Sequence, residues 1–431
     1  MILANGKVYP SSEQDRILAA LEEQINQTRA ARPLEMERVI SAIDRLGGKV
    51  ADGTFNARIA QLGIDGIEPY IALAARLMRR ENITYKVTTE LGENFFQPRR
   101  SDPPLGLARM TIRPAPLGTL FHIAAGNVDA LPAFSVAEGL LTGNINILKL
   151  PQADQGLSVE IFLELIKIEP LLQEYIYVFD TPSTDLQAMK KMARMSDGVV
   201  VWGGDAAVQA VRQFAPPGIK IIEWGHKLGF AYLSGYANCD EELSALAAHI
   251  LSTRQLLCSS CQTIFLDTEE MEEVEAFCQM FLPYLEQAAA ASPITEVGAV
   301  AEMTMRRYYD TLESALNGGN PSSRRVFQGE RCSLIACEDA ALELSYMYGN
   351  CLVKRLPEKK MMTCLRASKG YLQTAGLICS PDRRKRMTDL LVGCGVNRIM
   401  TAGHMSEGFS GEAHDGEYPL RRYTRIVNIE E

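Results

Sequence analysis

The 431-residue chain has no cysteine before Cys239, only five histidines and only two tryptophans. Any thiol chemistry therefore belongs to its second half. His122, His226, His249, His404 and His414 show no ligand spacing with one another or with the cysteines. A zinc site built on Cys258 and Cys261 would need a second close pair, which is absent. No metal is predicted. Cations are also in deficit, 44 Lys and Arg against 53 Asp and Glu, for a net charge of −9. That excludes a general nucleic-acid binder, whose phosphate contacts need clustered positive charge. No apolar run approaches the ~18 residues of a membrane span, so none is expected. The opening stretch, MILANGKVYPSSEQDR, lacks the charged-then-apolar pattern of a secretory leader. Ten cysteines without such a leader read as free thiols in a reducing cytoplasm.

What is present is ordinary globular material, 47% hydrophobic and 23% charged, long enough for two or three domains. The first hundred residues read as helical. SSEQDRILAALEEQINQTRAA opens on a Ser12-to-Asp15 capping pattern and sets Ile17, Leu18, Leu21 and Ile25 on one face. LEMERVISAIDRLGG and IEPYIALAARLMRRE follow, then a Pro- and Gly-rich loop around QPRRSDPPLGLARM. From Leu117 the texture changes to apolar strands alternating with amphipathic helices, ending in the strand IKIIEWG. This is the pattern of a doubly wound parallel sheet, an α/β fold that binds nucleotides at the carboxyl ends of its strands. After about Tyr236 a second α/β stretch begins with the helix DEELSALAAHILSTRQ. It holds an acidic helix, a turn-rich NGGNPSSRR loop and the helix DRRKRMTDLLVGCG. Ser380-Pro381-Asp382 reads as the start of that last helix, with Arg383 to Arg386 on its solvated face.

Two stretches carry chemistry. The first, PLGTLFHIAAGNVDALPAFSVAEGLLTGNINILKLP (Pro116 to Pro151), lacks G-x-G-x-x-G and is on its own only a βαβ unit. Within it Asn127 reads equally as a strand-end turn residue and Lys149 as a surface charge. The second, LLCSSCQTIFLD, sets Cys258 and Cys261 three positions apart at the mouth of a strand. They fit a redox pair, half a metal site, or one nucleophile beside a bystander. A thioredoxin-type pair sits at a helix N-terminus; here the pair follows a helix and leads into a strand.

The first stretch resembles the cofactor core of the aldehyde dehydrogenase superfamily, in which a P-x-G strand ends in Asn and, after an ATGN-like turn, the next strand ends in Lys. The resemblance implies an aldehyde-dehydrogenase-like fold, with a Rossmann-type parallel-sheet cofactor domain and a second α/β catalytic domain. It makes Asn127, after Gly126, the side-chain donor of an oxyanion hole, and Lys149 a contact of the adenosine ribose. Gln152 stands where NAD-preferring members commonly carry Glu, which favours NADP or NADPH. VVVWGGDAAVQAV matches the strand–turn–helix that meets the cofactor pyrophosphate, with Gly203 and Gly204 permitting close backbone approach. IEWGHK aligns with E-L-G-G-K and places Glu223 at the acid/base position; the alternative on residues alone is a strand-end carboxylate facing solvent. Cys258 lies about 35 residues on, in the nucleophile register, with Gln255 ahead of it.

More narrowly, the chain is similar to LuxC-type acyl-CoA reductases, the fatty-acid reductase branch associated with bacterial luminescence. The shared features are H-I-x-x-x-N, Cys-Ser-Ser-x-Gln, and GVNRIMTAGHM with HDGEYPL between Gly395 and Leu420. That branch often has Pro at the position of Cys261, which leaves Cys258 alone in register. Four divisions follow as expectations: a helical segment 1–100 packed on the cofactor domain, an NADP-binding domain 101–236, a catalytic domain 237–400, and a tail 401–431 returning to the cofactor or oligomerisation region. The implied reaction is NADPH-dependent reduction of an acyl-CoA or other acyl thioester to an aldehyde through acyl-Cys258. A homo-oligomer and an acyl-activating, acyl-protein-synthetase-like partner are also implied. His404 and His414 either line the site or hold turns. Oxidation of an aldehyde, with or without CoA, and a non-catalytic scaffold for the acyl-activating partner are the competing readings.

Overall fold

A computed structural model of the protein describes all residues except 32, 62–67, 102–103, 106–108, 125–130, 152–153, 295–296, 317–323 and 431. The chain forms two compact units, Met1–Gly225 with Phe409–Glu431, and His226–Gly408. Among the described residues no helix is long and apolar enough to cross a membrane.

The first unit opens on strands β1 (Ile2–Ala4) and β2 (Lys7–Tyr9) rather than directly on a helix. They pair antiparallel around Asn5 and Gly6, whose φ angles of 49° and 70° are those of a two-residue hairpin turn. Asn-Gly between apolar residues was the available signal for this hairpin. Helices α1 (Gln14–Ala30), α2 (Met36–Ala51), α3 (Asn56–Gln61), α4 (Glu68–Leu77) and α5 (Arg80–Leu91) follow. The predicted α1 face, Ile17, Leu18, Leu21 and Ile25, is buried. The Ser12 cap does not form: a 3₁₀ turn over Ser11–Glu13 precedes the helix, and Glu13 stands at the cap without a side-chain bond.

Strands β3 (Arg99–Ser101) and β4 (Met110–Pro116) lead into the alternating core. It runs β5 (Thr119–Ile123), α6 (Leu131–Leu141), β6 (Ile145–Lys149), α7 (Leu157–Ile168), β7 (Ile176–Phe179), α8 (Leu186–Arg194), β8 (Gly198–Trp202), α9 (Asp205–Phe214) and β9 (Lys220–Trp224). The sheet order is β2-β1-β7-β6-β5-β8-β9, parallel from β7 to β9. Every residue of β6 and β8 is buried, as a sheet covered by helices on both faces requires. Strand order reverses between β5 and β8, so the crevice at their carboxyl ends is the switch point where ligands settle in such sheets.

A buried polar chain ties this core together. Asn146 Oδ1 lies 3.0 Å from His122 Nε2, which therefore carries the ring proton and donates. The other ring nitrogen, Nδ1, then accepts from the Ser135 hydroxyl at 2.7 Å, and Ser135 Oγ accepts from Trp202 Nε1 at 2.9 Å. Burial holds His122 neutral, its pKa pushed down to about 4. One chain thus links β5, β6, α6 and β8.

The second unit is built from β10 (Leu228–Ser234), α10 (Cys239–Thr253), β11 (Cys261–Leu266), α11 (Met271–Ala291), α12 (Val297–Leu316), β12 (Arg324–Gln328), β13 (Ser333–Cys337), β14 (Asn350–Arg355), α13 (Glu358–Arg366), β15 (Leu372–Cys379), α14 (Arg384–Cys394) and β16 (Arg398–Met400). Its sheet order is β12-β13-β14-β11-β10-β15-β16, with only β12 antiparallel to its neighbour. The unit begins before Tyr236, because β10, an inner strand of this sheet, follows directly on the E-W-G-H-K segment. Helix α14 starts at Arg384 with no side-chain cap. Ser380 and Pro381 form a turn instead, and Arg383 is drawn off the solvated face by Asp267 and Glu358 at 2.8 and 2.5 Å. The chain then returns to the first unit through α15 (Pro419–Arg422) and β17 (Thr424–Glu430), which pairs with β4 in a three-stranded sheet.

Gly139 tests the polar chain. It lies inside α6, where alanine is ordinarily preferred by about 1 kcal/mol, yet a methyl there would overlap the Asn146 side-chain amide. Gly139→Ala is expected to destabilise the protein by about 2 kcal/mol in denaturant unfolding; a stabilised variant would show that the chain yields freely.

Candidate active site

In the first unit Lys149, Gly203, Gly204 and Glu223 lie at or beside the carboxyl ends of strands of one parallel sheet. Lys149, the last residue of β6, is buried, and its ammonium donates to Ser183 Oγ at 3.1 Å. Burial lowers its pKa. Lys149 makes no ion pair among the described residues, so a buried cationic donor stands at a strand end without a carboxylate.

Gly203 and Gly204 join β8 to α9, with Gly204 at the helix cap. A side chain at Gly203 would crowd Ala207, whereas the space over Gly204 is open. An open backbone at a helix start suits a phosphate, although Asp205 in the first turn adds a carboxylate beside it.

Glu223 is the penultimate residue of β9, on the face covered by α9. Arg212, in the last turn of that helix, grips both carboxylate oxygens, Nε to Oε1 at 2.6 Å and Nη2 to Oε2 at 2.8 Å. Glu223 is thus a gripped carboxylate, which its position in the sequence did not disclose. Gly126, Asn127 and Gln152 lie outside the described residues; β5 itself ends at Ile123, beside the switch point.

His414 is held by the only two tryptophans. Its ring lies 5.0 Å from Trp202 and 4.9 Å from Trp224. Its place is therefore an aromatic clamp at the ends of β8 and β9. His404, in the second unit, is exposed and bonds Glu407 at 2.5 Å.

The second unit presents Cys258 at the amino end of β11. Helix α10 stops at Arg254, and Arg254 and Gln255 both adopt left-handed backbone, φ 51° and 59°. Two successive non-glycine residues in that region store strain, which a folded protein retains where the surroundings over-determine it. The restraint here is visible. The buried Gln255 side chain donates to Cys261 O at 2.9 Å and accepts from Gly349 N at 3.0 Å; its carbonyl accepts from Gln262 Nε2 at 2.7 Å. A turn follows in which Ser260 N donates to Leu257 O at 3.0 Å, so Cys258 and Ser259 occupy its corner. Ser259 is fixed in turn to Ser406 Oγ at 2.8 Å. Gly229 of β10 passes close beneath: a side chain there would strike the Ser259 and Ser260 backbone. Sequence reading missed Gly229 because a lone strand glycine announces a close approach without saying to what.

The two cysteines separate sharply. The Cys258 thiol is exposed, whereas Cys261 begins β11 fully buried. Burial pushes the Cys261 pKa to about 12, and its thiol turns to Thr263 O. At neutral pH Cys261 is an unreactive thiol. Among the described residues no three His, Cys, Asp or Glu side chains are placed to hold a metal ion.

Two outcomes follow from this geometry. Iodoacetamide should modify Cys258 at least about 10-fold faster than Cys261, as peptide mass mapping would read; equal rates would contradict the burial contrast. Gly229→Ala should cost about 2 kcal/mol of stability and change the Cys258 labelling rate several-fold, since the turn must move to admit the methyl.

Comparison with known proteins gives the family and the fold. The acyl-CoA reductase family LuxC matches residues 31–426. The long-chain acyl-protein thioester reductase of Vibrio harveyi is 25% identical over 348 residues, 80% of this chain and 70% of that protein. Its namesake in Photorhabdus luminescens is 25% identical over 323 residues, 74% of this chain and 65% of that protein. The chain thus spans about two thirds of the length of these relatives. Solved aldehyde dehydrogenases, NAD- and NADP-dependent, superpose on the whole chain. The NADP-dependent glyceraldehyde-3-phosphate dehydrogenase of Bacillus halodurans C-125, complexed with NADP, does so with a TM-score of 0.73 at 13% identity, covering 100% of this chain and 98% of that one. At that identity the likeness shows the fold, the α/β fold of aldehyde dehydrogenases. Matched over nearly all its length, the chain belongs to the LuxC family of acyl-CoA reductases, oxidoreductases acting on acyl groups.

Proposed function

We propose that this protein reduces an acyl thioester, acyl-CoA or an acylated protein, to the aldehyde, using NADPH and a covalent acyl-Cys258. The observation that carries the reading is the contrast between the two thiols: Cys258 is exposed on a braced, strained turn, while Cys261 is buried and protonated.

The residues at the sheet ends suit a dinucleotide. Lys149 offers a buried ammonium that has no carboxylate partner among the described residues, fit for a ribose hydroxyl, and the open backbone at Gly204 before α9 accepts a pyrophosphate. Gln152 in place of a carboxylate accommodates a 2′-phosphate without repulsion. When bound, NADPH supplies the hydride that takes the acyl carbon to the aldehyde oxidation level.

The protein's own part is acyl transfer. The Cys258 thiolate adds to the thioester carbonyl, forming a C–S bond and an oxyanion. The Asn127 amide and the Cys258 backbone N–H are the donors assigned to that oxyanion, a role worth about 10²–10³ in rate per donor. Collapse breaks the bond to the donor thiol, which leaves as thiolate and takes a proton. After reduction the thiohemiacetal oxyanion re-forms the carbonyl, expels Cys258 and releases aldehyde. Cysteine suits both directions because its thiolate is a strong nucleophile and a competent leaving group. Glu223 has a supporting acid/base role. The relatives' name, long-chain acyl-protein thioester reductase, supports a long-chain acyl group carried as a protein thioester, which an acyl-activating partner would supply. Ile426 and Ile429, exposed on β17, support association between copies.

Incubation with a panel of acyl thioesters, followed by intact and peptide mass spectrometry, tests the reading. One acyl group is expected on Cys258, and aldehyde is expected on adding NADPH, with NADH slower. Cys258→Ala should abolish both, at least about 10³-fold, and Cys261→Ala should stay within about 3-fold. No adduct and no aldehyde from any thioester would overturn it, and faster turnover of aldehyde with NADP and CoA would reverse its direction.

A further inference from the structure

A thiol that attacks a carbonyl must be aimed as well as exposed, and a misplacement of about 1 Å can cost on the order of 10²-fold in rate. The Cys258 turn closes on itself through Ser260 N to Leu257 O and Leu257 N to Ser260 Oγ, at 3.0 and 3.1 Å. Those bonds shape the corner without aiming it. Aim requires ties to the body of the unit. Two buried glutamines flank the corner, Gln255 three residues before Cys258 and Gln262 four after it.

We propose that Gln262 is a positioning residue, the second half of a two-glutamine cradle that fixes the direction of the Cys258 thiol for acyl transfer. The proposal rests on the reading above, in which Cys258 carries the acyl group.

The two side-chain amides are used alike. Each donates across the base of the turn, Gln262 Nε2 to Gln255 O at 2.7 Å and Gln255 Nε2 to Cys261 O at 2.9 Å. Residues 255–262 are thereby closed into a ring with Cys258 near its midpoint. Each amide oxygen accepts from one loop, Ser345–Gly349, which leads into β14. Gln262 Oε1 takes the Ser345 hydroxyl at 2.7 Å and its N–H at 3.3 Å, and Gln255 Oε1 takes Gly349 N at 3.0 Å. Tyr348 N adds a bond to Arg254 O at 3.0 Å.

That loop is strained like the turn it holds. Met347, Tyr348 and Gly349 are left-handed in succession, at φ 61°, 51° and 82°, and the first two are not glycine. They bond to the left-handed pair Arg254 and Gln255. Neither segment keeps such a backbone by preference, so each depends on the bonds between them. Gln262 holds the start of the loop and Gln255 its end. Both glutamines and Ser345 are buried, so solvent does not replace a bond that is lost. Every group that makes these bonds is uncharged, so losing Gln262 turns the thiol without changing the charges around it.

The test compares two reactions of the same sulfur. Acyl transfer from a saturating acyl thioester, timed by intact mass, needs the aimed thiol. Alkylation by iodoacetamide, a small reagent, accepts many directions. Gln262→Met, which keeps the length of the side chain but makes neither bond, should slow acyl transfer about 10- to 100-fold. Its alkylation should stay within about 3-fold of the parent protein, with an unmoved pH profile. Ser345→Ala, which removes only the loop's hydroxyl, should slow acyl transfer about 3- to 10-fold, and it carries the same comparison if Gln262→Met does not fold. The double variant should be no slower than Gln262→Met alone, because both changes act through one bond. In whichever single variant folds, unchanged acyl transfer, or acyl transfer and alkylation slowed equally, overturns the proposal while leaving acyl-Cys258 intact. Failure of the parent protein to form any adduct overturns the reading beneath it as well.

Discussion

Strands buried on both faces leave almost no place for chemistry along their length. β6, β8, β10, β11 and β15 are buried at every position, and an unpaired polar group there would carry its full desolvation cost. Polar function is therefore pushed to the strand ends. Lys149 ends β6, Glu223 sits one residue from the end of β9, Gly203 follows β8, and Cys258 precedes β11. The exceptions within the sheet prove the constraint. His122 and Asn146 are buried in β5 and β6 and spend their hydrogen-bonding groups inside the core, His122 on Ser135 and Asn146, and Asn146 on His122 and on the Asn144 and Tyr175 carbonyls, while burial keeps His122 neutral.

The amino end of β11 satisfies a second demand, exposure without looseness. A nucleophile must meet substrate, yet a mobile turn would sacrifice the orientation that makes attack efficient. The chain answers with strain held in place: two left-handed residues, a buried glutamine with bonds at both ends of its amide, and a glycine that admits β10 against the turn. Each brace lies beneath the turn, leaving the Cys258 thiol outside. Three residues on, the pleat and the start of the strand carry Cys261 into the core, where burial keeps it protonated. Identical side chains thus acquire opposite reactivities from one turn of backbone.

Much of this was legible in the sequence, and the boundary of legibility has a physical cause. Short runs such as INILK and GVVVW, Ile- and Val-rich and bounded by turn residues, read as buried strands, and every residue of each is buried. α1 declared its face through spacing alone. Caps were misread at both Ser12 and Ser380, because a serine before a helix has competing partners and only the folded chain decides between them. The β1–β2 hairpin was passed over although Asn5-Gly6 marks it, since each of its strands is only three residues long. β10 is hard to delimit from sequence because its apolar run adjoins the E-W-G-H-K segment with no strong turn signal between them. At the site, residue types could be assigned by family pattern, but partnership could not. Arg212 and Glu223 are eleven positions apart on a helix and a strand, and no periodicity relates such a pair.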